Sequence, residues 1–162
     1  MSHNQIKEEV LAAAIAADAE LSAFSETHKG AYGIAELLNT TAVPDFTVWR
    51  SNVSITEIGE TLDGAEVEGL TTAQSNRMMI GGTYAVDGVN ASISKSRSFF
   101  DSLFSTAEGA VTGPALAMLW RRLATRGEVI FATGSGTEAD PATLGREGNI
   151  SYREVFAARN PL

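Results

Sequence analysis

The chain has 162 residues, 44% of them hydrophobic, and carries 20 acidic against 12 basic residues for a net charge of -8. That length and apolar share suit one domain with a real core, and the acidic balance disfavours general binding to phosphate backbones. There is no cysteine, which excludes disulfides, thiol catalysis and thiolate metal sites.

The N-terminus, MSHNQIKEEV, lacks the basic segment and apolar run of a secretory signal, and no stretch approaches the roughly 18 uninterrupted apolar residues of a membrane span. The expectation is a soluble protein made in a cytoplasm. The only basic cluster is Arg121, Arg122 and Arg126.

In chain order, residues 4–24 read as a helix that Asn4 caps, with Glu8 and Glu9 near its positive end and Ile6, Val10, Ala13, Ala14, Ala17 and Leu21 on one face. The pattern breaks from Phe24 to Gly30. A short helix follows over 31–38, ending at Asn39, and Asp45–Arg50 reads as one or two further helical turns with Phe46 and Trp49. Ser54-Ile55-Thr56-Glu57 fits a capping box, in which serine and glutamate each satisfy a free backbone N–H. Its helix runs over 55–62 and closes at Gly64; another covers 65–80, with Val67, Leu70, Gln74 and Met78 on one stripe.

Residues 81–92, with glycine at 81, 82 and 88, fit either a hairpin turning at Asp87-Gly88 or an interhelical loop. The loop is favoured, because no other strand offers itself as a partner and an isolated hairpin is marginal. Phe99, Phe100, Leu103 and Phe104 have helical spacing over 96–104, and 106–113 is a small-residue linker.

The clearest helix signal is Thr112–Ala132. Thr112 can cap, Pro114 suits a first turn, and Leu116, Leu119, Trp120 and Leu123 follow helical spacing with Arg121 and Arg122 on the flank. It reads as the central core helix. Thr125-x-x-Glu128 and Ser151-x-x-Glu154 are two more capping boxes, opening a helix through VIFA and a final helix to about Arg159. Between them, 133–149 is a loop rich in glycine, aspartate and proline, in which Asp140-Pro141 can cap one turn.

No motif announces a chemistry. Gly134-Ser135-Gly136-Thr137-Glu138-Ala139 matches G-x-G-x-x-A, but Asp140-Pro141 follows at once and the remaining chain is too short for a second βαβ strand. His3 and His28 are the only histidines and are too far apart in sequence for a helical zinc pair. A serine–histidine hydrolase built on His28 has no G-x-S-x-G elbow behind it. Glu8-Glu9 and Glu57/Glu60 are explained by caps and solvated faces. The aromatic residues Phe46, Trp49, Phe99, Phe100, Phe104, Trp120 and Phe131 read as core. Arg121 and Arg122 are candidates for an interface anchor.

Two stretches carry a resemblance. One is the N-terminal helix followed by Tyr32-x-Ile34-Ala35-x-x-Leu38-Asn39. The other runs from Ala132-Thr133-Gly134-x-Gly136-Thr137 through Pro141, Leu144, Glu147-Gly148-x-Ile150-Ser151 and Val155. Over roughly 6–158 this order is similar to a family of small, mostly helical structural proteins of tailed-bacteriophage particles. The resemblance implies a neck or head–tail connector subunit. Such a subunit forms a homo-oligomeric ring, meets portal or tail components, and resides in the virion after synthesis in the host cytoplasm. It implies no cofactor, metal, small-molecule substrate or membrane.

The expectation is therefore an all-α single domain, 1–162, of six to eight helices with long glycine-containing loops and flexible ends at 1–5 and 160–162. It is expected to act by assembly and not as an enzyme. Candidate interface residues are Arg121, Arg122, Tyr84, Val86, Gly134, Gly136 and Thr137. The rival readings are an assembly chaperone or other protein-binding module with an apolar groove along Phe99–Phe104, absent from the finished particle, and a small hydrolase using His28.

Overall fold

The computed structural model describes residues 3–104 and 110–161, the side chains of residues 3, 4 and 84 excepted. Helix starts are set by side-chain chemistry. Ser54/Glu57, Thr71/Gln74, Thr125/Glu128 and Ser151/Glu154 each form a complete capping box. Among the described residues there are ten helices: α1 (His3–Ala17), α2 (Ala19–Ser22), α3 (His28–Leu38), α4 (Ile55–Thr61), α5 (Gly64–Glu68), α6 (Thr72–Tyr84), α7 (Ser94–Leu103), α8 (Thr112–Leu119), α9 (Arg126–Val129) and α10 (Tyr152–Arg159).

The chain is mostly helical, at 54% helix, but not purely so. The strands β1 (Thr47–Trp49) and β2 (Arg121–Leu123) pair, and β3 (Ala132–Thr133) pairs antiparallel with β4 (Thr143–Leu144) in the register Ala132 with Leu144 and Thr133 with Thr143. The expected turn at 45–50 is thus a strand, as its β-branched and aromatic residues allow. The expected central helix stops at Leu119, and 121–123 is extended because β1 takes its backbone as a partner.

Other boundaries move for local reasons. The N-terminal helix breaks at Asp18, whose carboxylate accepts from the N–H groups of Glu20 and Leu21 and opens α2. Asp63 does the same for α5, so Gly64 begins a helix where the sequence suggested an end. Thr71 opens α6, which splits the expected 65–80 helix and runs through Gly81 and Gly82 to Tyr84. Residues 106–109 of the expected 106–113 linker lie outside the described residues, and Thr112 and Gly113 already belong to α8.

The backbone forms two compact units. The first comprises residues 1–48 and 123–162, the second Trp49–Arg122. In the first, α1, α3 and α10 bury Leu11, Ile15, Ile34, Leu38, Val155 and Ala158 around Ile150. A smaller cluster joins Val48, Ala124 and Ala142, where Val48 and Ala142 form a parallel bridge. The Asn39 side chain holds Ile150 as a strand partner would: Ile150 N–H donates to its Oδ1 at 2.8 Å, and its Nδ2 donates to Ile150 C=O at 2.9 Å. In the second unit the core is Val53, Ile58, Val89, Phe100, Leu103, Phe104, Leu116 and Trp120.

Glu128 is buried and joins two segments of the first unit. One carboxylate oxygen accepts from Thr125 N–H at 3.0 Å, and the other from Gly148 N–H at 2.9 Å. Replacing it by alanine removes a cap and leaves partly buried N–H groups unpaired. Glu128→Ala is expected to cost about 2–4 kcal/mol, read as a lower midpoint in urea unfolding followed by circular dichroism.

Candidate functional site

The second unit is arranged around a helix that packs loosely. Helix α6 is fixed at its start by the Thr71/Gln74 box, and Gln74 Nε2 donates to Leu103 C=O at 2.9 Å. Near its other end Gly81 faces the Phe99 ring, where a Cβ would come within 2.4 Å of the ring. Between these points no described side chain of α6 is buried, and Met79 and Ile80 are exposed.

Two apolar cavities flank this helix. One, of about 440 Å³, is lined by Ile58, Leu62, Val67, Leu70, Met78 and Phe100 among others. The other, of about 400 Å³, includes Ile80, Gly81, Val89, Ile93, Phe99 and Phe100. Phe100 borders both, and the one charged residue lining either is Lys95. The Phe100 ring meets Phe99 edge-on at 5.2 Å and Trp120 at 5.3 Å, so the shared wall is stiff.

The frame around the cavities is polar and well tied. Arg50 pairs with Glu57 at 2.7 Å and its backbone joins Trp120 and Ala91. The Arg50 guanidinium beside it, then the Ser54 N–H and hydroxyl, hold the Glu57 carboxyl down at about 2. Glu66 caps α8 from a distance, accepting from Val111 N–H at 2.8 Å and Thr112 N–H at 2.9 Å. The Thr112 hydroxyl is the first cause of its lowered pKa. Thr112 itself is buried and accepts from Asp63 N–H at 3.0 Å; it is not the cap of α8. Arg97 stacks over Trp49 at 3.8 Å and donates to Ala91 C=O, and burial lowers its pKa.

No family model matches the chain, and no curated protein or solved structure gives a significant match.

The residues picked from the sequence fall in both units. Arg121 and Arg122 are half-buried neighbours on β2, where successive side chains take opposite faces, and Arg121 Nε donates to Ala117 C=O at 2.6 Å. They are therefore not the flank of a long helix. Val86 is exposed in the turn after α6, and the Tyr84 side chain lies outside the described residues. Gly134, Gly136 and Thr137 belong to the first unit. Gly136 has φ +68°, its C=O accepts from Thr47 N–H at 2.7 Å, and a Cβ there would lie 2.2 Å from the Phe46 ring. Thr137 Oγ1 accepts from Asp140 N–H at 3.0 Å and shapes the loop. No helix follows this glycine stretch; β4 comes next.

The expected Phe99–Phe104 helix exists as α7, and two of its aromatics line a cavity. The role of α6 escaped sequence reading, because Gly81 and Gly82 look like a helix end. His28 stacks on Phe156 at 4.1 Å, beside the Tyr32–Tyr152 stack at 3.9 Å. Among the described residues no group of three or more acidic or histidine side chains is placed to hold a metal, and no helix is long and apolar enough to cross a membrane.

The depressed Glu57 and Glu66 carboxyls make the second unit acid-sensitive. Their folded forms bind protons more weakly than the unfolded chain, whose glutamate value is 4.5. Stability from Glu57 is full above that value and is lost as pH falls toward about 2. Both tryptophans, Trp49 and Trp120, lie in this unit. Their fluorescence in an acid titration is expected to show a transition that Glu57→Gln flattens between these limits.

Proposed function

We propose that the protein is a structural subunit of a tailed-bacteriophage particle, a neck or head–tail connector subunit that works by assembling into a ring. The observation that carries this reading is the apolar surface of the second unit. On the rims of its two apolar cavities, which share Phe100, Met79 is 74% exposed, Ile80 58% and Ile93 50%. Large apolar side chains left in water on an otherwise well-capped domain favour a surface that other proteins cover. Methionine suits such a surface, since it adapts to an uneven partner.

The order of soft motifs, which resembles that of virion structural proteins, supports the same reading. So does the net charge of -8, because a ring around DNA must not trap it. The partners are further copies of the chain and portal or tail proteins, and the place of action is the virion. The mass of the purified protein tests this, alone and with a portal-type ring if the neighbouring genes supply one. The expected outcome is a shift from 17.1 kDa to a large symmetric complex. A strict monomer that ignores the ring would end the connector reading.

A second reading, an assembly chaperone, is favoured by the cavity of about 400 Å³ that Phe99 and Phe100 line. A helix or strand of another virion protein would fill it and leave after assembly. Mass spectrometry of purified virions separates the two: a connector is present in stoichiometric amount and a chaperone is absent.

A further inference from the structure

We propose that the loose face of α6 is the seat for α1 of the next copy of this chain, so that the ring forms by a head-to-tail contact between two different patches. The inference rests on the ring reading and names the surfaces that build it.

Helix α1 is apolar on two sides. Leu11 and Ile15 enter the core of the first unit. On the other side Ile6, Val10, Ala13 and Ala17 follow helical spacing and are all exposed, Ile6 at 50% and Val10 at 40%. A helix at a solvent boundary needs only one apolar face. Glu9 flanks the exposed stripe on one edge and Lys7 on the other, and among the described residues the Glu9 side chain makes no hydrogen bond or ion pair.

The face of α6 is the counterpart in length, polarity and charge. Helix α1 has 15 residues and α6 has 13, about 22 and about 20 Å at the helical rise. Met79 and Ile80 stand exposed beside the two cavities, which have room for a helix ridge. The one charged residue of α6 is Arg77, and the one charged residue lining the cavities is Lys95; neither has an ionic partner among the described residues. The Glu9 edge of α1 thus meets an apolar face whose own charges are cations. Opposite charges at the rim set the register and favour encounter. Two unlike patches meet either reciprocally in a symmetric pair or head to tail; the head-to-tail arrangement leaves each copy a free end, so the assembly grows until it closes, and a mass larger than that of a dimer separates it from the pair.

The chain has no cysteine, which gives a clean test. Full-length Glu9→Cys and Arg77→Cys proteins, one of them carrying heavy nitrogen, are mixed in the assembled state and oxidised with diamide, which takes up the two hydrogens of the thiol pair. The expected product is the mixed disulfide, with neither variant cross-linking to itself. Self-cross-linking of Glu9→Cys alone, or of Arg77→Cys alone, would show a contact between like patches and overturn the proposal. Met79→Glu is expected to lose assembly and stay at 17.1 kDa with an unchanged circular dichroism spectrum, since the side chain is exposed. If the unmodified protein forms a large complex but no mixed disulfide appears and Met79→Glu still assembles, the proposed contact is wrong and the ring reading stands. If the unmodified protein stays monomeric with and without a portal ring and no cross-link forms, both fall.

Discussion

The architecture depends on how short helices satisfy their first backbone N–H groups. A helix leaves these donors without intrahelical partners, and a chain with many short helices has many of them to place. Here the acceptors are mostly side-chain oxygens one turn away, as at Ser54, Thr71, Thr125 and Ser151. Some of the same oxygens also reach across the sequence. Glu128 belongs to its own capping box and holds Gly148, 20 positions on. Glu66 leaves its helix and caps α8, about 45 positions away. Local stop signals and tertiary connections are thus made by the same atoms. Removing one such carboxylate loosens both a helix end and the segment it holds.

That dual use explains what could be read in advance. The capping boxes at Ser54, Thr125 and Ser151 are local patterns, and all three open helices where they should, although the Thr125 helix ends at Val129 and does not run through VIFA, because Ala132 pairs with Leu144 in β3 and β4. Thr71-x-x-Gln74 is an equally local signal, hidden inside a longer apolar stripe. Asp18 was hidden in the same way, because Leu21 keeps the helical spacing across the break. The strands could not be read. Three residues are too few to show a period of two, and 121–123 is extended only because β1 lies beside it. Leu123, which fits the helical spacing of Leu116, Leu119 and Trp120, is in fact exposed on that strand. The candidate surface was half legible. The aromatic wall of α7 is a sequence pattern, whereas the cavities arise from how α4, α5, α6 and α7 stand apart.

Helix α6 is the exception to this tight economy. It has a complete cap and an amide anchor at its start, yet none of its described side chains is buried. Gly81 lets the Phe99 ring come close but gives up helix propensity, and a Cβ at Gly82 next to it would meet nothing. A helix with few buried contacts opens at lower free-energy cost than the core around it. Its looseness is therefore local, because Phe100 and Trp120 behind it are packed. The unit has a rigid back and an adjustable front, the combination that lets a surface fit a partner without unfolding its domain.

On the ring reading, this arrangement also bears on when assembly happens. Bringing two copies together costs an estimated 4–15 kcal/mol or more in lost freedom of motion before any contact is counted. A seat made of a few exposed side chains, such as Met79 and Ile80 with Ile6 and Val10, recovers roughly 25 cal/mol for each Å² it buries. One such contact leaves a weak pair. In a closed ring every copy makes the contact twice, and the last joint forms within an object already held together, at a high effective concentration. Weak pairs and a stable ring are therefore compatible. The balance favours free single chains until a template gathers them, which suits a particle in which each ring must form at one place and in order.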